Sequence, residues 1–338
     1  MNETNNNTDT LSEEILRVEN LTIAYNDIRN KTTVNLTDGV SFSLRAGEIY
    51  GLVGESGCGK TVSSLAILRL LPVPVLSVNS GKIFYRGQNV LDQNIEDFKK
   101  IRGKKISMIF QEPGISLNPL YTIEKQLLEI FEFHEYNGNR RERVLELLNR
   151  SGIADPIRVM RSFPHELSGG MLQRVMISLA LLFDPDVLIA DEPTTSLDVT
   201  VQAQIMELLT ELQREKKMSV LLITHNMGLI AGYADRVAVM YAGRIVEESP
   251  VKEFLEKPMH PYSRGLINAI PDIRSENAVP RPIPGTVPEP KNFPAGCRFL
   301  DRCPGAYDKC REKPDFININ QNHRVACFSV AKEFSEAQ

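Results

Sequence analysis

Residues 54–61 read Gly54-Glu55-Ser56-Gly57-Cys58-Gly59-Lys60-Thr61 and fit the pattern G-x-x-x-x-G-K-[ST]. Glycines at this density permit positive φ and let backbone N–H groups curl around phosphate oxygens. A helix opening at Lys60 would add the partial positive charge of its N-terminus. Lys60 would then bridge the β- and γ-phosphates of a bound nucleotide, and the Thr61 hydroxyl would ligate Mg²⁺. The competing reading is a chance glycine turn. A strand directly before the loop and a helix directly after it argue against that reading. Cys58 lies inside the loop, where packing is the expected role, although a thiol near a helix N-terminus can also have a lowered pKa.

A second candidate stands at Val187-Leu188-Ile189-Ala190-Asp191-Glu192, an apolar run ending in two carboxylates. Asp191 could hold Mg²⁺ through water, and Glu192 is placed to polarise an attacking water. The alternative is a helix cap, since Asp191 precedes Pro193 and Asp caps helices well.

The elements that must position these groups follow from apolar spacing. Residues 15–25 alternate as a half-buried strand does, and 48–53 form a second strand running into the glycines. Residues 60–71 read as a helix stopped by Pro72. The short apolar runs 106–110, 187–190 and 220–224 are of the buried-strand kind. Strands alternating with helices predict an α/β fold with a largely parallel sheet. Between them, Leu127, Leu128, Phe131, Val144, Leu147 and Leu148 recur at helical spacing, which predicts an inserted helical subdomain over about residues 113–183.

Leu167-Ser168-Gly169-Gly170-Met171-Leu172-Gln173-Arg174 resembles the signature motif of ABC ATPases, with Met171 in place of the usual Gln. Pro164-His165-Glu166 before it is also similar to that family. Gln111 matches the family's Q-loop, Ser196-Leu197-Asp198 its D-loop, and His225 its switch histidine. Tyr25 stands where the family stacks an aromatic ring on adenine. Taken singly, each is an ordinary surface or core residue type; their order between firm landmarks is what carries the resemblance over about residues 15–270. It implies a P-loop NTPase core, with ATP bound by Tyr25 and residues 54–61. It further implies Mg²⁺ held by Thr61, Gln111 and Asp191, and catalysis by Glu192 with His225 and Gln111. The signature residues Leu167–Met171 would contact the partner's ATP in a head-to-tail dimer.

The segments His260-Pro261-Tyr262-Ser263-Arg264-Gly265-Leu266, Ile283-Pro284-Gly285 and Gly296-Cys297-Arg298-Phe299-Leu300-Asp301-Arg302-Cys303-Pro304 resemble the oligopeptide, dipeptide and nickel import branch. That resemblance implies a peptide importer, with a nickel importer as the alternative. It also implies a second, related ATPase chain, two membrane permease subunits and an extracytoplasmic substrate-binding protein, with no nucleic acid.

Residues 271–338 comprise a proline-rich connector and a tail with four cysteines, Cys297, Cys303, Cys310 and Cys327, spaced C-x₅-C-x₆-C-x₁₆-C. Zinc ribbons prefer closer pairs. Four thiolates with a proline after one of them suit an iron–sulfur site better, although the spacing is not that of the ferredoxins. Some members of the branch carry a [4Fe–4S] cluster here, so the resemblance implies one. A zinc site or four reduced thiols remain open, and His323, near Cys327 in sequence, could substitute as a ligand, although a surface residue or an accessory donor is the expected reading. The tail is short and polar, so it is expected to fold apart from the core around its cofactor.

The net charge of −4 gives no basic excess of the kind a dedicated nucleic-acid binder shows. No apolar run approaches the length of a membrane span. The polar residues 1–14 lack signal-peptide features and are expected to be disordered. The expectation is a peripheral protein on the cytoplasmic face of the membrane. A soluble ABC ATPase of DNA repair or translation would carry a long coiled-coil insertion or two nucleotide domains, and neither pattern occurs. A non-catalytic subunit would have a degenerate site, whereas Lys60, Asp191, Glu192 and His225 are all present.

Overall fold

The computed structural model describes residues 13–195, 197–269 and 282–336. Its centre is an eight-stranded sheet. In spatial order the strands are Ile317–Asn318, Arg324–Val325, Arg244–Pro250, Arg236–Tyr241, Ile49–Val53, Ser219–Thr224, Val187–Asp191 and Ile106–Ile109. The last five run parallel, and the first three join antiparallel. The parallel strands Ile49–Val53, Ser219–Thr224 and Val187–Asp191 are buried at every residue. Burial on both faces explains why they appear as continuous apolar runs.

A second, antiparallel sheet is built on the long strand Glu14–Asp27, which pairs with Thr32–Asn35, Val40–Arg45 and Leu76–Tyr85. Glu14 already belongs to this strand, pairing with Arg45. Residues 1–12, the bulk of the segment expected to be disordered, lie outside the described residues. So do Ser196 and residues 270–281 of the connector.

Between the strands Ile106–Ile109 and Val187–Asp191 the chain is helical: Pro113–Ser116, Ile123–Phe133, Arg140–Arg150, Pro156–Arg161 and Gly169–Ala180. Leu127, Phe131, Val144, Leu147 and Leu148 are all buried in the main apolar core. The helix after the glycine loop is shorter than its sequence suggests. It spans Lys60–Ile67 rather than reaching Leu71. Arg69 takes φ of 53°, and Leu70 N–H donates to Leu65 O at 2.8 Å, which closes the helix in a left-handed cap. The Arg69 guanidinium holds this turn by donating to Val90 O and Gln93 O.

The C-terminal extension does not fold apart. Its strand Arg324–Val325 adds to the main sheet through Glu247 and Glu248. Phe299 is buried with its ring edge-on to Tyr241, centroids 5.1 Å apart, and it also touches Tyr262. Burying such a ring contributes on the order of 2–3 kcal/mol, enough to favour docking. The expectation failed because the tail's polar composition conceals interface residues: Arg298 and Arg302 are both buried against the core.

Candidate active site

Four neighbouring parallel strands end on one edge of the sheet, and a candidate group follows each. The glycine loop follows Ile49–Val53, His225 follows Ser219–Thr224, Glu192 follows Val187–Asp191, and Gln111 lies just past Ile106–Ile109. This is the edge at which α/β sheets bind ligands.

In the loop, Gly59 takes φ of 107° to start the helix at Lys60. A Cβ on Gly54 would lie 2.1 Å from Met240 O, so only glycine lets the loop pack this closely on the sheet. Lys60 is buried, with Nζ donating to Gly54 O at 2.7 Å and Glu55 O at 3.2 Å. The loop's own carbonyls therefore aim the ammonium. Ser56 and Gly57 are exposed at the crest. Cys58 is fully buried, and burial pushes its thiol pKa up despite the nearby Lys60. Its role is packing, and the activating effect of the helix terminus does not win.

Asp191 is buried at the strand end, and the Thr61 hydroxyl lies near enough to oppose the rise of its pKa. Burial pushes its pKa up to about 6, with Glu192 adding to the shift and Lys60 opposing it. Its Oδ1 has no hydrogen-bond partner. An unsatisfied buried carboxylate oxygen beside a threonine hydroxyl is a donor set suited to a hard divalent cation. The helix-cap alternative belongs to another residue: Asp198 caps Val199–Lys216 by accepting Val201 N–H at 2.9 Å.

Glu192 is the meeting point. Its backbone sits at φ of 48°, a conformation uncommon outside glycine. Gln111 Nε2 donates to its Oε2 at 3.2 Å, and Thr195 Oγ1 donates to the same oxygen at 2.8 Å. His225 Nδ1 lies 3.0 Å from Oε1. Burial alone would raise the Glu192 pKa, but the hydrogen bonds from His225 and Thr195, with the charges of His225 and Lys60, hold it below its ordinary value. The carboxylate is thus ionised and oriented at neutral pH.

The signature residues lie elsewhere. Leu167 is buried, and Ser168 caps the helix Gly169–Ala180 by accepting Met171 N–H at 3.4 Å. Ser168 and Gly169 are exposed, and Gly169 lies against Leu197. Among the described residues, no hydrogen bond joins this helix start to the glycine loop of the same chain. A cleft of about 310 Å³ separates it from Gln111–Ile115. Tyr25 is exposed on its strand, paired across the sheet with Val34 and Leu76. Ser196 lies outside the described residues.

The family model described as ABC transporter matches residues 37–195, and that described as Oligopeptide/dipeptide transporter, C-terminal region, matches residues 246–310. The oligopeptide transport ATP-binding protein AppD of Bacillus subtilis is 43% identical over 325 residues, covering 95% of this chain and 98% of its own. The dipeptide transport ATP-binding protein DppD of Bacillus subtilis is 43% identical over 319 residues, covering 94% and 95%. The chain belongs to the ABC transporter ATP-binding protein family. Among solved structures it is similar to the dimeric ATP-binding cassette MJ0796 bound to ADP and Pi, with a TM-score of 0.62 and 27% identity over 70% of this chain and 99% of that one. The chain is an ABC-type ATPase.

In the ATPase's tail, the four cysteines are free thiols. Burial foremost, with the other three thiols adding, pushes Cys297 up to about 11, and Cys303 and Cys327 are also raised. Thiolates suit iron or zinc in kind. Their geometry does not complete a site. Among the described residues no group of three or more His, Cys, Asp or Glu side chains is gathered to hold a metal ion. Cys297 and Cys303 pack against the main core, whereas Cys327 packs with Met259, Val325 and Val330. His323 is not a surface residue. It is buried, with Nε2 2.9 Å from Glu247 Oε1.

Two contacts of the glycine loop escaped the sequence reading. Tyr262 Oη accepts Glu55 N–H at 2.9 Å, and Arg302 forms a two-pronged ion pair with the Glu55 carboxylate. Both residues lay within motifs used only to place the tail in its branch. The available signal was an acidic residue inside a loop suited to anions.

Proposed function

We propose that this ATPase powers import of peptides through a membrane permease, working at the cytoplasmic face of the membrane. The observation that carries its catalytic half is the convergence of Gln111, Thr195 and His225 on the Glu192 carboxylate. Residues 54–61 would wrap the phosphates, with Lys60 on the β- and γ-phosphates and Tyr25 against adenine. Thr61, Asp191 and Gln111 would hold Mg²⁺, which when bound neutralises phosphate charge. Glu192, kept ionised, would accept a hydrogen bond from the attacking water and align it. His225 would fix the carboxylate's orientation, and Gln111 would report whether the γ-phosphate is present.

The exposed signature start at Ser168–Gly169 fits a partner's nucleotide better than its own, which supports a head-to-tail ATPase dimer. Ile115 and Leu120 are about four-fifths exposed, and Tyr121 is also exposed. This apolar strip beside Gln111 is suited to a permease subunit. Among the described residues no helix is long and apolar enough to cross a membrane. We assign residues 15–270 to the ATPase unit, 113–183 to its helical part and 271–338 to the extension. The relatives' oligopeptide and dipeptide names favour peptides over nickel, with an extracytoplasmic binding protein delivering them. The four tail cysteines are proposed to hold a [4Fe–4S] cluster, a reading supported by four free thiols in one segment of the chain and requiring the thiols to close further.

Glu192→Gln keeps shape and hydrogen bonding but removes the charge. In the assembled transporter, with the partner ATP site silenced, it is expected to bind ATP normally while turnover falls by about 10²-fold or more. Near-normal hydrolysis would refute the assignment.

A further inference from the structure

Every polar group of Glu55 is engaged. Its N–H goes to Tyr262 Oη at 2.9 Å, and its carbonyl accepts from Lys60 Nζ at 3.2 Å and from Cys58 N–H at 3.3 Å. Its carboxylate accepts Arg302 Nη1 at 2.6 Å and Nη2 at 3.0 Å. Arg302 is itself buried, and its remaining donors are used. Nε donates to Pro284 O at 2.8 Å, and the terminal nitrogens also reach Gly285 O at 3.3 Å and Tyr241 Oη at 3.3 Å. A guanidinium fork with all its donors committed has one orientation.

Glu55 is an electrostatic anomaly. It places a negative charge in the loop that must receive a polyanion, one residue from Gly54, whose carbonyl helps aim Lys60. Arg302 neutralises that charge and fixes the loop from a segment 247 residues away in sequence. It is presented by the short helix Leu300–Arg302, anchored by the Phe299 ring against Tyr241 and Tyr262.

We propose that Arg302 is a positioning residue of the ATP site, through which the docked C-terminal extension holds the phosphate loop ready for nucleotide. This rests on reading residues 54–61 as the phosphate loop. If the extension were displaced, Glu55 would be left as an uncompensated carboxylate facing the incoming phosphates, and the Lys60 carbonyl cradle would lose its outer support. Nucleotide affinity is thereby coupled to the packing of the tail.

The test is a double-mutant cycle on the full chain, measuring binding of the non-hydrolysable analogue AMP-PNP with Mg²⁺ by calorimetry. Arg302→Ala is expected to weaken binding on the order of tenfold, the size of losing one charge-assisted contact. Adding Glu55→Gln to Arg302→Ala should restore most of that loss, because it removes the stranded charge. Arg302→Lys should fall between native and Arg302→Ala, since it keeps the charge but not the fork. Lys60→Ala serves as the reference. If it leaves binding unchanged, the phosphate-loop reading fails. If Lys60→Ala abolishes binding while Arg302→Ala does not alter it, the inference alone is overturned. Equal weakening in Arg302→Ala and in the double variant would also overturn it, because a merely structural arginine would not respond to the charge on Glu55. Should Arg302→Ala fail to fold, native affinity in Arg302→Lys together with no effect of Glu55→Gln in that background would overturn the coupling.

Discussion

His260 offers a direct measurement of how firmly the helix Pro261–Asn268 is held, and that helix carries Tyr262 to the phosphate loop. The imidazole is fully buried, with Nδ1 accepting Tyr262 N–H at 3.0 Å as the helix cap. Its own backbone N–H donates to Glu247 Oε2 at 2.7 Å. Burial, helped by the charge of Arg264 and opposed by Glu247, pushes its pKa down from 6.5 to about 4. Between these values the unfolded chain takes up a proton that the folded chain refuses. Stability is therefore fully present above about pH 6.5 and declines as the pH falls toward about 4, by about 3 kcal/mol in all. His260→Asn keeps a capping acceptor and removes the titration. The variant is expected to lose some packing energy at pH 7 but to show a flatter decline, so that the two stability curves converge on acidification. Urea unfolding followed at several pH values between 7 and 4 measures this. Below about pH 4.5 both proteins are expected to lose further stability through Glu247. Burial raises its pKa, but the hydrogen bonds from His323 and from the backbone N–H groups of Met259 and His260 more than offset this and hold it low. Parallel curves with an unchanged slope would refute the assignment of a neutral buried His260.

Three further outcomes follow from the described geometry. Cys58, buried with a raised pKa, is expected to resist alkylation in the native protein and to react once denatured; peptide mapping after iodoacetamide treatment reads this, and rapid native labelling would contradict the packing role. Cysteines introduced at Ile115 or Leu120 are expected to crosslink to a permease subunit with a yield that depends on nucleotide, and absence of any crosslink in the assembled transporter would remove that contact. Anaerobically purified protein is expected to carry about four irons per chain if the tail thiols close on a [4Fe–4S] cluster. Stoichiometric zinc without iron would replace the cluster by a Cys₄ site, and metal-free protein would leave four packing thiols.

The strands and the sheet edge where Gln111, Glu192 and His225 meet were legible because their signals are local. Val187–Ala190 and Val220–Thr224 are apolar at nearly every position, and each is followed within a residue or two by a group with one obvious chemistry. Parallel neighbours then bring Gln111, Glu192 and His225 together through the order of the sheet. The end of the helix at Ile67 was hidden, since Arg69 gives no glycine signal for its left-handed turn and depends on distant carbonyls to hold it. The tail was misread for a related reason. Counting Arg298 and Arg302 as polar implied a segment with nothing to bury, whereas both pack against the core, Arg302 with its guanidinium donors all taken. Yet the loop carried a clue. A carboxylate at Glu55 conflicts with binding a polyanion unless a cation stands beside it, and Lys60 is committed to the loop's own carbonyls. Such a local inconsistency points to a compensating charge elsewhere in the chain. Here that charge is Arg302, beside Cys303, so the charge balance of the glycine loop reaches directly into the cysteine-bearing turn.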